Sequence, residues 1–355
     1  MRGQRKLDHL RLVQALGDGP GETGFNDIHF IHNCLPEVNS QEISTECSFC
    51  GKPFPVPLLI NAITGGIEEG EKVNRSLAGA ALSMGIPMAV GSQAAALESE
   101  ELYSTYQVVR KENPGGFLIA NLSAGASLEN VFQAVEMIRA DALQLHLNIP
   151  QEVMMSPKEG DSSFRGYLHN IRRIAASVPV PVIVKEVGFG MAHEEALRLL
   201  DTGIAVLDIG GSGGTNFIRV EGERHHPEEV DPFLEWGLPT AVSLVEVAGA
   251  VGGKVEIVAS GGIRSGLDIA RVLSLGAGMA GIAGPLVRCY YRGGEEAVMR
   301  YLSRLEKQLR QVMLMLGAKN IGQLRQKPLV ILGETGQWLE ERGIRVQGFA
   351  LRSQQ

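Results

Sequence analysis

Lys185 ends a short apolar run, Pro181-Val182-Ile183-Val184, where an amine has few structural reasons to stand. Such a group could form a Schiff base with a carbonyl, or stay charged beside a developing anion. A second run ends in His146-Leu147-Asn148-Ile149-Pro150-Gln151-Glu152. Glu152 there could hold a hard cation, because magnesium takes one or two carboxylates and completes its shell with substrate phosphate and water. A lone acidic residue on a loop is also often merely solvated. Two glycine-rich segments, Ser260-Gly261-Gly262-Ile263-Arg264 and Gly281-Ile282-Ala283-Gly284, each lead from an apolar run into a helical pattern. Glycines in such places let backbone N–H groups converge on an anion at a helix N-terminus, and we read the pair as a phosphate cradle rather than as two tight turns. The glycine loop 210–215 is weak evidence when taken alone.

Near the N-terminus, Arg2, Arg5, Lys6, His9 and Arg11 are opposed only by Asp8. They make either a solvated tail or an arm that closes over an anionic substrate. Cys47-Ser48-Phe49-Cys50 could be half of a metal knuckle, with His29, His32 and Cys34 upstream to complete it. An alternating strand through both histidines does not fix their distance from the thiols.

The elements that must position these groups form a repeat. Between 57 and 316, eight short apolar runs each end in Gly, Ser, Asn or Lys and are each followed by a helical pattern. Alternating β and α with near-continuous apolar strands implies a parallel sheet buried on both faces, and eight units favour closure. The expected fold class is therefore α/β, a (β/α)8 TIM barrel, with polar residues from nearly every strand delivered to one rim. The expected division is an N-terminal arm and small β-rich lid (1–56), the barrel (57–316) and a C-terminal helical extension (317–355). In the lid, strands are expected near Asp27 and over 42–47, with Gly51-Lys52-Pro53 turning the chain back.

Composition narrows the function classes. A chain of 355 residues suits one large barrel, and 44 glycines are nearly twice the usual share, which suits many strand-to-helix turns. A net charge of −7 argues against a general nucleic-acid or anionic-membrane binder. No stretch is apolar enough to span a membrane, no signal-peptide core is present, and four cysteines fit a reducing cytoplasm better than a disulfide framework.

Several motifs occur together in one order: Arg5-Lys6-x-Asp8-His9, Asn61-Ala-x-Thr64-Gly-Gly, Val90-Gly-Ser92-Gln93, His146-Leu-Asn148-x-x-Gln151-Glu152, Lys185-Glu-Val-Gly, Gly213-Gly-Thr215-Asn216-Phe217 and Ser260-Gly-Gly-x-Arg264. From about Arg5 to about Leu316 the chain resembles the type 2 isopentenyl-diphosphate delta-isomerases, the FMN-dependent kind. The resemblance implies interconversion of isopentenyl and dimethylallyl diphosphates with reduced FMN, Mg2+, and NADPH as reductant of the flavin. It implies FMN contacts from Ala62, Ile63, Thr64, Ser92, Asn121, Lys185 and Thr215, with the FMN phosphate against Gly262, Ile263, Arg264, Ala283 and Gly284. The substrate diphosphate would meet Arg5, Lys6, His146, Asn148 and Gln151, and Glu152 would hold the metal. Gln151, Lys185 and His9 would serve catalysis, Glu221 also matches a position near the site, and the assembly would be a homotetramer or octamer. Gly210, Ser212 and Val187 depart from residues found in some members, where backbone N–H groups could replace side-chain bonds.

An FMN-dependent α-hydroxy-acid oxidase would share barrel and cradle, but needs a His base and an Arg clamp together after strands six and seven. The loop Gly210-Gly-Ser-Gly-Gly-Thr215-Asn-Phe217 has no histidine until His225. A non-catalytic flavin-binding barrel would leave the basic arm and Gln151-Glu152 without a role.

Overall fold

The computed structural model describes residues 2–156, 159–160, 162–225 and 230–352. The Arg2 side chain lies outside the described part. The chain opens with a helix, Arg2–Leu16, that buries Leu10 and Val13 and packs on the helices Phe217–Arg224 and Gly284–Leu316. The basic stretch is thus a docked helix. The strands in chain order are β1 (Ile28–Phe30), β2 (Cys47–Phe49), β3 (Lys52–Phe54), β4 (Leu58–Ile60), β5 (Met88–Ala89), β6 (Leu118–Ser123), β7 (Ala142–Leu147), β8 (Val182–Glu186), β9 (Val206–Asp208), β10 (Glu256–Ser260), β11 (Met279–Ile282) and β12 (Leu329–Ile331).

Strands β4 to β11 close into an eight-stranded parallel barrel, each pairing with the next and β11 returning to β4. Their alternation explains the interior. Leu59, Ala89, Ile119, Ala142, Ile183, Val206, Val258 and Met279 form one apolar layer inside it. Two residues further along the same strands, or just past their ends, stand Asn61, Asn121, Gln144, Lys185, Asp208, Ser260 and Gly281, because a period of two returns the side chain to the same face. The register aligns Ser123 with His146, His146 with Lys185, and Lys185 with Asp208 across four neighbouring strands. Polar groups far apart in sequence thus share one rung.

The expected lid differs in place and in extent. Residues Ser40–Glu42 form a 3-10 turn, and β2 and β3 make a hairpin that turns at Cys50-Gly51, both with positive φ (48° and 73°), as a tight two-residue turn requires. Phe49 and Phe54 enter the apolar layer beside Phe117, with ring centroids 5.9 and 5.7 Å from it. Phe117 precedes β6, so the hairpin stops the bottom of the barrel and not its mouth. Strand β1 pairs antiparallel with β12, which ties the segment ahead of the barrel to the one behind it. The helix after β11 breaks at Gly293-Gly294, where φ of Gly294 is 61°. Among the described residues, no helix is long and apolar enough to cross a membrane.

Phe49 is fully buried in this stopper. Phe49→Ala should cost about 3–5 kcal/mol in urea unfolding, the usual range for an emptied aromatic core position. An unchanged midpoint would show the hairpin to be dispensable.

Candidate active site

The carboxyl ends of the strands surround a cavity of about 330 Å³, within the range of small-molecule sites. Its floor is the polar layer of the barrel. Asp208, fully buried, accepts from Ser260 Oγ at 2.5 Å and from Asn61 Nδ2 at 2.6 Å, and lies 3.2 Å from Lys185 Nζ. Lys185 also donates to Ser260 Oγ at 3.1 Å. Gln144 Nε2 donates to Asn61 Oδ1 at 3.3 Å and its Oε1 accepts from Asn121 Nδ2 at 2.7 Å, while Asn121 Oδ1 meets His146 Nδ1 at 2.9 Å. Burial first, and then the charges of Lys185 and Lys6, push His146 down to about 4, so its ring is neutral at physiological pH.

One wall is built from glycine. Gly262 has φ 69°, and a Cβ there would lie 2.3 Å from Thr23 Cγ2 and 2.5 Å from the Gly213 carbonyl oxygen. Only glycine lets these two loops lie against each other with their backbones facing the cavity. The second arm of the cradle, Ala283-Gly284, begins the long helix. Arg264 bends back from the cavity: its Nε donates to Asp18 at 2.9 Å, and its guanidinium also reaches the carbonyls of Gly262 and Gly213.

The N-terminal helix forms a second wall. Lys6 Nζ donates to the Ser92 carbonyl at 2.7 Å, and Arg5 reaches Met155 and the Glu159 carbonyl. His9 Nε2 meets Glu221 Oε1 at 2.7 Å. Glu221 also accepts from Gln151 Nε2 at 2.6 Å and from Arg224 Nη1 at 2.5 Å. Burial works against its charge, yet His9, Gln151 and Arg224 hold Glu221 down at about 2 and therefore ionised. Asn148 Nδ2 donates to Gln151 Oε1 at 2.7 Å, which leaves Asn148 Oδ1 buried with no partner among the described residues.

Of the residues singled out from sequence, Arg5, Lys6, His9, Ala62, Ile63, Thr64, Ser92, Asn121, His146, Asn148, Gln151, Glu152, Lys185, Thr215, Gly262, Ile263, Ala283 and Gly284 all line this one cavity, and Arg264 does not. Asp208, Gln144, Tyr106 and Arg224 complete the networks without having been singled out. Asp208 carries a readable signal, a carboxylate in phase with Val206 in an apolar run. Cys47 and Cys50 sit in the bottom stopper, where burial pushes both thiols up to about 12. Among the described residues, no group of three or more His, Cys, Asp or Glu is gathered to hold a metal ion.

The fold and this cavity have counterparts among known proteins. A family model for the FMN-dependent dehydrogenases matches residues 121–331. A putative lactate oxidase of Pediococcus acidilactici superposes with a TM-score of 0.70 at 17% identity, covering 94% of this chain and 93% of that one. Mandelate oxidase, solved with an FMN adduct, superposes with a TM-score of 0.63 at 18% identity over 92% of each chain. Those identities show the barrel alone. The chain belongs to the FMN-dependent dehydrogenase family. The isopentenyl-diphosphate delta-isomerase of Moorella thermoacetica is 45% identical over 341 residues, covering 96% of this chain and 97% of that protein. That of Methanothermobacter thermautotrophicus is 41% identical over 355 residues, covering 99% of this chain and all (100%) of that protein. Within the family, the chain is a member of the type 2 isopentenyl-diphosphate delta-isomerases.

The neutral His146 has a consequence for stability. Unfolded, its imidazole takes a proton below about 6.5, whereas folded it resists until about 4. Across that window the unfolded state binds more protons, so stability falls as pH falls. In urea titrations of the flavin-free protein, His146→Gln should flatten this part of the profile, and an unchanged slope would show that the ring is protonated in the fold.

Proposed function

We propose that this chain interconverts isopentenyl and dimethylallyl diphosphates, holding FMN on the floor and glycine wall of the cavity and the substrate diphosphate under the N-terminal helix. One observation carries the reading: a single cavity is lined on one side by backbone loops suited to a phosphate, and on the other by Arg5, Lys6 and His9. Two walls suited to anions border one cavity.

The residues suit FMN. The Gly213-Gly214 and Gly261-Gly262 loops and the start of the helix at Gly284 would receive the ribityl phosphate, where backbone N–H groups and the helix dipole favour an anion. Ala62, Ile63, Thr64, Ser92, Asn121 and Thr215 would line the flavin, and Lys185 would offer its cation to the ring. Bound and reduced, with NADPH as the source of electrons, FMN would supply an acidic N–H and an electron-rich face for a net proton shift without redox change. Arg5, Lys6, His146 and Asn148 would orient the diphosphate, and the docked helix would exclude water that could trap a cationic centre. Glu152 would hold Mg2+ together with substrate phosphate, and the unpartnered Asn148 Oδ1 would accept from a water in that shell.

Gln151 is tied at both ends, donating to Glu221 and accepting from Asn148. Its amide aligns the ionised Glu221 and His9 as the groups able to pass a proton at the wall facing the floor. A hydroxy-acid oxidase needs a histidine in the loop after β9; none of the cavity-lining residues of that loop is histidine, and His225 lies at the end of the next helix beside Glu159. The family resemblance adds a homotetramer or octamer.

The test mixes the protein with FMN, NADPH, Mg2+ and isopentenyl diphosphate without oxygen. Dimethylallyl diphosphate should form; its absence with flavin bound and reduced would overturn the reading. Glu152→Gln should mainly raise the Mg2+ concentration needed for half-maximal rate. Lys185→Ala should lower the rate at saturating Mg2+, and equal small effects from both would sink the separate roles.

A further inference from the structure

The cation assigned to the flavin stands on a carboxylate that no assignment includes. Asp208 is fully buried and is not among the residues that line the cavity. Yet every polar group around it is aimed at it. Ser260 Oγ donates to Oδ1 at 2.5 Å, Asn61 Nδ2 to Oδ2 at 2.6 Å, and Gln144 Nε2 reaches Oδ2 at 3.5 Å. Lys185 Nζ lies 3.2 Å from Oδ2, and the strand register places Lys185 and Asp208 side by side on β8 and β9.

We propose that Asp208 is a positioning residue for the cofactor site: its buried carboxylate fixes the Lys185 amine and supplies its counter-charge. The inference rests on the reading of Lys185 as the flavin's cationic partner. Three neutral donors and one cation surround the buried carboxylate and satisfy both of its oxygens. The amine in turn has Ser260 and Asp208 as its partners below, which leaves its remaining N–H directed by geometry rather than by side-chain freedom. Without the carboxylate, Lys185 would lose its counter-charge and one of the two partners that fix its amine. The loss would be felt where the flavin carries negative charge, which is in its reduced form.

The readout is the ratio of affinities for reduced and oxidised FMN, measured as the midpoint potential of the bound flavin against free flavin. Asp208→Asn and Lys185→Met should each lower the preference for reduced FMN by about tenfold or more, about 1.4 kcal/mol of differential binding. The double variant should fall no further than Lys185→Met alone, because Asp208 acts through the amine. A folded Asp208→Asn protein with the unmutated ratio would overturn the proposal, as would a double variant whose losses multiply. If Lys185→Met itself leaves the ratio unchanged, the role of Lys185 fails, which is a different result from failure of Asp208 alone. Should Asp208→Asn not fold, the unmutated protein decides. Crystal structures with oxidised and reduced FMN should keep Lys185 and Asp208 in contact, and their separation in either would overturn it.

Discussion

The structure depends on one costly interaction, a carboxylate fully buried in the middle of a barrel. Asp208 can stay there only if Lys185, Ser260 and Asn61 all keep their places, and with Asp208 itself they stand on or just past four different strands. The requirement runs outward: Gln144 is tied to Asn61, Asn121 to Gln144, and His146 to Asn121. A slip of one residue in any of these strands would turn its polar member out of the layer and strand a buried charge. The apolar layer beneath supplies the driving force for closure, and the polar layer selects the register.

The mouth is organised by a second carboxylate. Glu221 gathers His9, Gln151 and Arg224 and so joins the N-terminal helix to the loops after β7 and β9. The two carboxylates divide the work: one orders a floor suited to an electron-rich ring, the other orders a wall suited to an anion. The N-terminal helix buries only Leu10 and Val13 as its apolar face, so much of its attachment is polar. A wall held in this way can loosen without unfolding the barrel.

Much of this was legible in the sequence because barrels impose period two on strands and place the ends of all strands at one face. Lys185, His146 and Asn121 announced themselves as polar groups closing apolar runs. Asp208 carried only the fainter mark of its phase with Val206, and a single acidic residue before Ile209 and a glycine loop also looks like an ordinary strand end until its neighbours are known. The hairpin was legible as β structure but not in place: Phe49 and Phe54 alternate with polar residues in a way that fits a lid as well as a stopper. Only the geometry of Phe117 below β6 decides between them. The docked helix was hidden by its charge, because its burial comes from partners remote in sequence.

The pairing of β1 with β12 has a consequence for assembly. Residues 28–30 can find their partner strand only when residues 329–331 are available, so this contact closes one of the longest loops in the molecule. Contacts of such separation form late, after local strand–helix units have condensed. The helix at Arg2–Leu16 lies just ahead of β1 and would settle last with it. A nearly finished barrel would therefore expose its glycine wall before the N-terminal helix is in place, giving a bulky cofactor a wider entrance during maturation than the finished cavity offers.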